Sequence, residues 1–292
     1  MKKIDFLIAG VQKSATTSLA YYVGQHPKIC KHRTEEMPYF SLEEEYKLGY
    51  LVNFKRYFNH CSQNDKVLAK SVTVIQDVDV IKKAYEHNPK MKLVIVLRNP
   101  IDRAYSAFWY ARKMGWENID DFDKALSLEE DRKSKNMIVQ RNTSYKKNGE
   151  YLEQLNQLFT VFPKEQVCII LQEDIAKDAN EVCQKLFKYF NLEAYEGLNM
   201  ERINESAMPK FFIISKLLNA NHPVKKKIKQ SLPIGLQRFI DKLKIRIMRL
   251  NNKKITVEKM SVKTRKNLLE YYEKMNQELS LLINRNLDHW NK

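Results

Sequence analysis

IDFLIAGVQKSATTSLAYY, residues 4–22, decides the fold of this chain. Ile4 and the run Phe6, Leu7, Ile8 and Ala9 give the pattern of a strand buried in a parallel sheet. Thr16, Thr17 and Ser18 then supply hydroxyls where Leu19, Ala20, Tyr21 and Tyr22 begin a helical pattern. The turn between them is therefore a helix N-terminus, whose unpaired N–H groups and positive dipole end suit an anion. Lys13 adds a positive charge. A nucleotide P-loop reads GxxxxGK[ST], with its lysine late in the loop. Here Lys13 follows Gly10 by three residues and precedes the hydroxyls, so the loop reads as a phosphate binder that needs no metal. Ala15 stands inside it, where an ordinary helical or bridge conformation is expected of a residue with a Cβ.

A second strand-and-helix unit lies at KLVIVLRNPIDRAYSAFWY, residues 92–110. The apolar run Leu93 to Leu97 delivers Arg98 at its carboxyl end, where ligands of open parallel sheets collect. Asn99 suits a helix cap and Pro100 the first turn. Together, GVQKSATTSL and RNPIDRAYS resemble the 5′-phosphosulfate loop and the 3′-phosphate motif of sulfotransferases that use 3′-phosphoadenosine 5′-phosphosulfate (PAPS). That resemblance implies an α/β fold, a parallel sheet of about five strands flanked by helices in the P-loop kinase-like arrangement. It also implies that Lys13, Ser14, Ala15, Thr16, Thr17 and Ser18 hold the 5′-phosphosulfate. Arg98 and Ser106 would hold the 3′-phosphate, the first by forked charge-assisted bonds and the second by its hydroxyl.

RTEEMPYFS, residues 33–41, is similar to the family's KE-x-x-[FY]-F stretch, with Glu35 in place of the usual lysine. Glu36 is the expected general base, since an attacking hydroxyl or amine must lose a proton. The adjoining Tyr39 and Phe40 are expected to anchor the loop. VLAKSVTVIQ, residues 67–76, partly resembles an EKSPSY-like stretch of carbohydrate sulfotransferases, with Ala69 for the acid and Val72 for the proline. Lys70 is thus expected near the sulfuryl oxygens. Further matches are the segment ending in Tyr151 and Phe162-Pro163, QEDI with the helix that follows it, RINESAMPKF at 202–211, and the closing helix. Arg141, Tyr145 and Tyr151 could reach the cofactor or acceptor, with a structural role the stronger reading, and Glu173 and Asp174 read as holding loops together.

A chain of 292 residues with 43% hydrophobic content can build a sizeable core. One sulfotransferase domain over residues 1–292 is expected, with a basic helical insertion at about 212–255. No signal peptide and no span of membrane length is read from the sequence. Cys30, Cys61, Cys168 and Cys183 are widely spaced and read as reduced, buried thiols of a cytoplasmic protein, with neither a disulfide framework nor a metal site.

The net charge of +16 is concentrated, since residues 225–254 hold eleven Lys or Arg against Asp241 alone. Within it LQRFIDKLKIRIMRL, residues 236–250, sets Leu236, Phe239, Ile240, Leu243, Ile247 and Leu250 on one helical stripe. Docking on the domain with its charges in water is the favoured reading. A surface for an acidic acceptor and peripheral contact with the inner face of an anionic membrane are the other two. The expected function is sulfuryl transfer from PAPS, without a metal, to a hydroxyl or amine of a carbohydrate or small-molecule acceptor. A P-loop kinase is disfavoured by the missing GK[ST] pair. A nucleic-acid or anionic-membrane binding protein would account for the charge but not for the two N-terminal motifs, and no nucleic-acid partner is expected.

Overall fold

The computed structural model describes residues 2–131, 137–201, 207–209, 217–218, 231–254 and 258–292. In chain order the elements are β1 (Phe6–Gly10), α1 (Thr16–Val23), β2 (Ile29–Lys31), α2 (Glu43–Lys47), α3 (Tyr50–Phe58), β3 (Lys66–Lys70), α4 (Val78–His87), β4 (Lys92–Leu97) and α5 (Pro100–Met114). They continue with α6 (Phe122–Ser127), α7 (Met137–Thr143), α8 (Tyr151–Phe159), β5 (Val167–Leu171), α9 (Gln172–Lys177) and α10 (Ala179–Tyr189). Last come β6 (Ala207–Pro209), α11 (Ile234–Leu250), β7 (Asn252–Lys254) and α12 (Val262–Ile283).

Two compact units result. The first, Met1–Arg103 with Asn148–Ile203 and Leu268–Lys292, contains a five-stranded sheet in the order β2-β3-β1-β4-β5. All of its pairs are parallel, as the unbroken apolar runs require. β1 lies at the centre, with β3 on one side and β4 on the other, so the strand order reverses around it. A doubly wound sheet opens its ligand crevice at the carboxyl ends of strands at such a point. Register aligns those ends: Ile8 pairs with both Lys70 and Val94, and Gly10 pairs with Ile95. Gly10 is needed there, because a Cβ at that position would stand 2.7 Å from Cγ2 of Ile75.

Both faces of the sheet are sealed. Leu7, Ala9, Val67, Leu93 and Ile95 pack on one side with Phe58, Ile81, Leu155 and Trp290, while Phe6, Ile8, Leu68 and Val94 meet Leu19, Leu186 and Phe187 on the other. α4 and α10 begin on Asp77 and Asp178, whose carboxylates accept the first free N–H groups of their helices. Asn99 caps α5 as expected, accepting the Ile101 N–H at 3.0 Å. Its Nδ2 donates to the Trp290 carbonyl, and Trp290 Nε1 donates to Glu173 at 2.7 Å. Asp174 accepts both arms of Arg285 at 3.1 and 2.8 Å, so Glu173 and Asp174 are fasteners.

The second unit, Ala104–Lys147 with Asn204–Asn267, packs Phe108, Phe122 and the fully buried Tyr145 together. Tyr145 donates to Glu117 at 2.8 Å, a structural role as read. α6 starts on Asp121, which accepts the Lys124 N–H. β6 and β7 pair antiparallel. The stretch 202–211 lies outside the described residues except for Ala207–Pro209, as do residues 219–230 and 255–257 of the basic segment and its flank.

Two expectations fail here. Cys30 and Cys61 are joined in a disulfide across a sequence separation of 31, so they are not reduced thiols; Cys168 and Cys183 are free. Spacing gave no sign of the pair, because β2 and the turn after α3 become neighbours only through tertiary folding. The stripe of α11 is also not packed: Leu236 is 44% exposed, Phe239 62%, Leu243 46% and Leu250 70%. No helix among the described residues is long and apolar enough to cross a membrane.

Candidate active site

The end of β1 feeds a loop whose backbone is bent twice into the left-handed region, at Lys13 (φ 73°) and at Ala15 (φ 59°). This corrects the conformation expected of Ala15. The cause is the sharp reversal between a buried strand and a buried helix, which demands positive φ whichever residue stands there, at about 1–2 kcal/mol for a residue with a Cβ. The result is an α1 N-terminus with no side-chain cap, unlike α4, α6 and α10. Ser14 is fully buried within the loop, and its Oγ has no hydrogen-bond partner among the described residues. An uncapped helix end beside an orphaned buried hydroxyl fits the binding of a phosphate-like group.

Three other elements converge on this point. Lys70 ends β3 and is sealed, its side chain 4% exposed, with its Nζ donating to Thr17 Oγ1 at 3.0 Å and to Glu36 Oε1 at 2.6 Å. Glu36 is brought in by the loop after β2, where Met37, Tyr39 and Phe40 are buried as anchors. Its second oxygen, Oε2, accepts the Val72 N–H at 3.2 Å. The Glu36 side chain keeps 40% exposure, so an acceptor can reach the carboxylate that pins the lysine. Burial pulls the Glu36 pKa above its usual value, against the Lys70 ammonium and the Val72 N–H, which pull it down. A carboxylate with a raised pKa is the better proton acceptor near neutrality.

Arg98, delivered by β4, donates from Nη1 to the Lys13 carbonyl at 3.0 Å and so props the loop, leaving further guanidinium N–H groups for a ligand. Its own carbonyl accepts the Tyr151 hydroxyl at 2.9 Å, which gives Tyr151 a structural role. Ser106 stands half-buried nearly two turns into α5, among the residues of the second unit. Its link to a 3′-phosphate rests on the motif alone.

Sequence reading missed Lys31. It ends β2, the strand beside β3, and its pKa is lowered first by burial and then by the charge of Lys70. A lysine at the carboxyl end of a strand next to Lys70 was the available signal. His32 fits a base poorly, since burial, then Lys31 and Lys70, push its pKa down to about 3. It serves instead in a chain, with Nδ1 at 3.2 Å from Thr34 Oγ1, which donates to the Glu36 carbonyl at 2.7 Å.

Residues 3–210 match the sulfotransferase domain family. The chain belongs to that family. Among curated relatives of this sulfotransferase, the bifunctional heparan sulfate N-deacetylase/N-sulfotransferase 1 of Caenorhabditis briggsae is 28% identical over 207 residues, covering 65% of this chain and 23% of the relative. Its Caenorhabditis elegans counterpart is 26% identical over 200 residues, 65% of this chain and 22% of the relative. The membrane-associated sulfotransferase kil1 of Dictyostelium discoideum is 28% identical over 111 residues, 37% of this chain and 23% of the relative. The matches thus span less than a quarter of these relatives' own length. A sulfotransferase from Alicyclobacillus acidocaldarius superposes with a TM-score of 0.72 at 22% identity, covering 100% of both chains, and so shares the fold.

Proposed function

We propose that this sulfotransferase moves a sulfuryl group from PAPS to a hydroxyl or amine of a carbohydrate acceptor. The observation that carries the reading is the convergence of Glu36, Lys70 and Thr17 at the uncapped start of α1. The heparan sulfate relatives favour a sugar acceptor.

PAPS, when bound, supplies a sulfuryl group already activated on the 5′-phosphate. The chain's own residues then divide the work. Lys13 and the α1 N–H groups would face that phosphate and offset the negative charge growing on its bridging oxygen. Lys70, immobilised between Thr17 and Glu36, offers its ammonium to the sulfuryl oxygens. Glu36 accepts the proton of the attacking hydroxyl or amine. Arg98 and Ser106 would hold the 3′-phosphate and thereby select PAPS over ATP, which lacks it. No residue of this set calls for a metal ion in the reaction.

Thermal shift tests the donor: adenosine 3′,5′-bisphosphate should raise the melting temperature more than AMP, ADP or ATP with magnesium, since specific binding to the folded state stabilises it. A ranking led by ATP would overturn the assignment. Labelled PAPS offered to polysaccharides, glycolipids and small amines then identifies the acceptor class.

A second reading concerns location. The exposed apolar stripe of α11, flanked by exposed Lys242 and Arg246, supports peripheral binding to an anionic lipid surface, which on the cytoplasmic side is the inner leaflet. Co-sedimentation with phosphatidylglycerol vesicles, absent with phosphatidylcholine alone, is the expected result.

A further inference from the structure

Cys30 is buried in the middle of β2, and Cys61 lies just past α3, in a turn closed by its N–H bond to the Phe58 carbonyl at 2.9 Å. His60 stands beside the pair, its Nε2 3.3 Å from Cys30 Sγ and 3.1 Å from the Lys31 carbonyl oxygen. The ligand atoms of these three residues lie within 4.8 Å of one another, the one grouping of metal-ligating side chains found among the described residues. Nothing in the transfer chemistry uses them.

We propose that Cys30, His60 and Cys61 form a staple with two chemical states: a disulfide under oxidising conditions and, after reduction by a dithiol, a site for a soft divalent cation of the zinc type. In the first step a dithiol gives two electrons and two protons to the Cys30–Cys61 bond, which breaks into two thiols while the dithiol closes to its cyclic disulfide. In the second, the cation displaces both thiol protons to solvent and takes two sulfurs and the imidazole nitrogen, with water in the fourth position.

The surroundings favour that second state. His60 is exposed, and its Nε2 already lies 3.3 Å from Cys30 Sγ, so its ring is open to a cation arriving from solvent. The two free cysteines are poor rivals, since burial pushes Cys168 up to about 11 and Cys183 to about 12. Either state ties the two ends of residues 30–61, the segment that carries Glu36. The staple therefore keeps the base-bearing loop fastened in an oxidising or a reducing compartment.

The test uses the full chain, reduced with a dithiol and then freed of it under nitrogen, and titrated with cobalt followed by zinc. One equivalent of cobalt should give a thiolate-to-cobalt charge-transfer band that zinc abolishes, and the oxidised protein should give none. Cys61→Ser should remove the band, His60→Ala should weaken cobalt binding at least about tenfold, and Cys168→Ser should change nothing. A reduced protein with no band, one whose band survives Cys61→Ser, or one that has lost its far-ultraviolet dichroism overturns the proposal. Should Cys61→Ser fail to fold, the exposed His60 decides, because unchanged cobalt affinity in His60→Ala rejects the site.

Discussion

Lys70 and Lys242 both have apolar neighbours in the sequence, yet one is sealed beneath the start of α1 and the other lies open on α11. Lys70 is buried because two other elements deliver its partners, Thr17 from α1 and Glu36 from the loop after β2. An ammonium taken out of water without such partners would cost several kcal/mol. Among the described side chains of α11, Lys242 and Arg246 stay in water, and so does most of the apolar stripe between them. A lysine is thus buried where other elements bring it partners, and a basic stripe without such partners keeps its charges in water.

The sharpest way to break the first half of the comparison is to remove the proton acceptor and keep its shape. Glu36→Gln should leave the bisphosphate melting shift intact and lower turnover by about a hundredfold or more. Lys13→Ala should likewise cost more in turnover than in donor affinity, because its charge matters most as the leaving phosphate develops charge. Activity surviving in Glu36→Gln would place the base elsewhere, with the exposed Glu35 the next residue to test.

The second half is tested by changing Lys242 and Arg246 to Gln together. Vesicle co-sedimentation should fall roughly tenfold or more, at about 1 kcal/mol per basic residue near an anionic surface. Turnover on a soluble acceptor and the melting temperature should not move. A raised, less salt-sensitive Michaelis constant for an acidic polymer would instead assign the stripe to the acceptor.

Lys70→Met sharpens the link between the two members of the buried pair. The Lys70 ammonium pulls the Glu36 pKa down against burial. Without it the carboxylate must hold its proton to still higher pH. The acidic limb of the pH–rate profile should therefore move up, and kcat at neutral pH should fall. A limb that stays put in this variant would show that Glu36 does not set it.

The smallest effect is expected at Ala15→Gly. Relief of the left-handed Cβ, less the greater flexibility of an unfolded glycine, should stabilise the protein by about 0.5–1 kcal/mol in urea unfolding. A loss of stability would mean that the loop does not hold this residue at positive φ.

The strands were legible because a strand buried on both faces has to be continuously apolar, as Phe6–Gly10 and residues 93–97 are. The cradle was legible too, since a strand, a polar turn with Lys13 and a run of hydroxyls encode a helix N-terminus locally. Glu36 and Lys70 could be named from motif positions, but not their contact. They are 34 residues apart, and only the parallel register of β3 beside β1 and the folding back of the loop after β2 bring them to 2.6 Å. The backbone of Ala15 escaped sequence reading for a related reason. Positive φ is imposed by what lies on either side of the loop, and residue type alone predicts the opposite. The Cys30–Cys61 pair and the exposed face of α11 belong to the same class. Amphipathic periodicity says that a helix has an apolar side and cysteine spacing says how many thiols there are, but which surface meets that side and which thiol meets which are long-range facts. Local patterns fix dihedral preference and burial along one element, whereas contacts between elements are settled by how their faces pack in space.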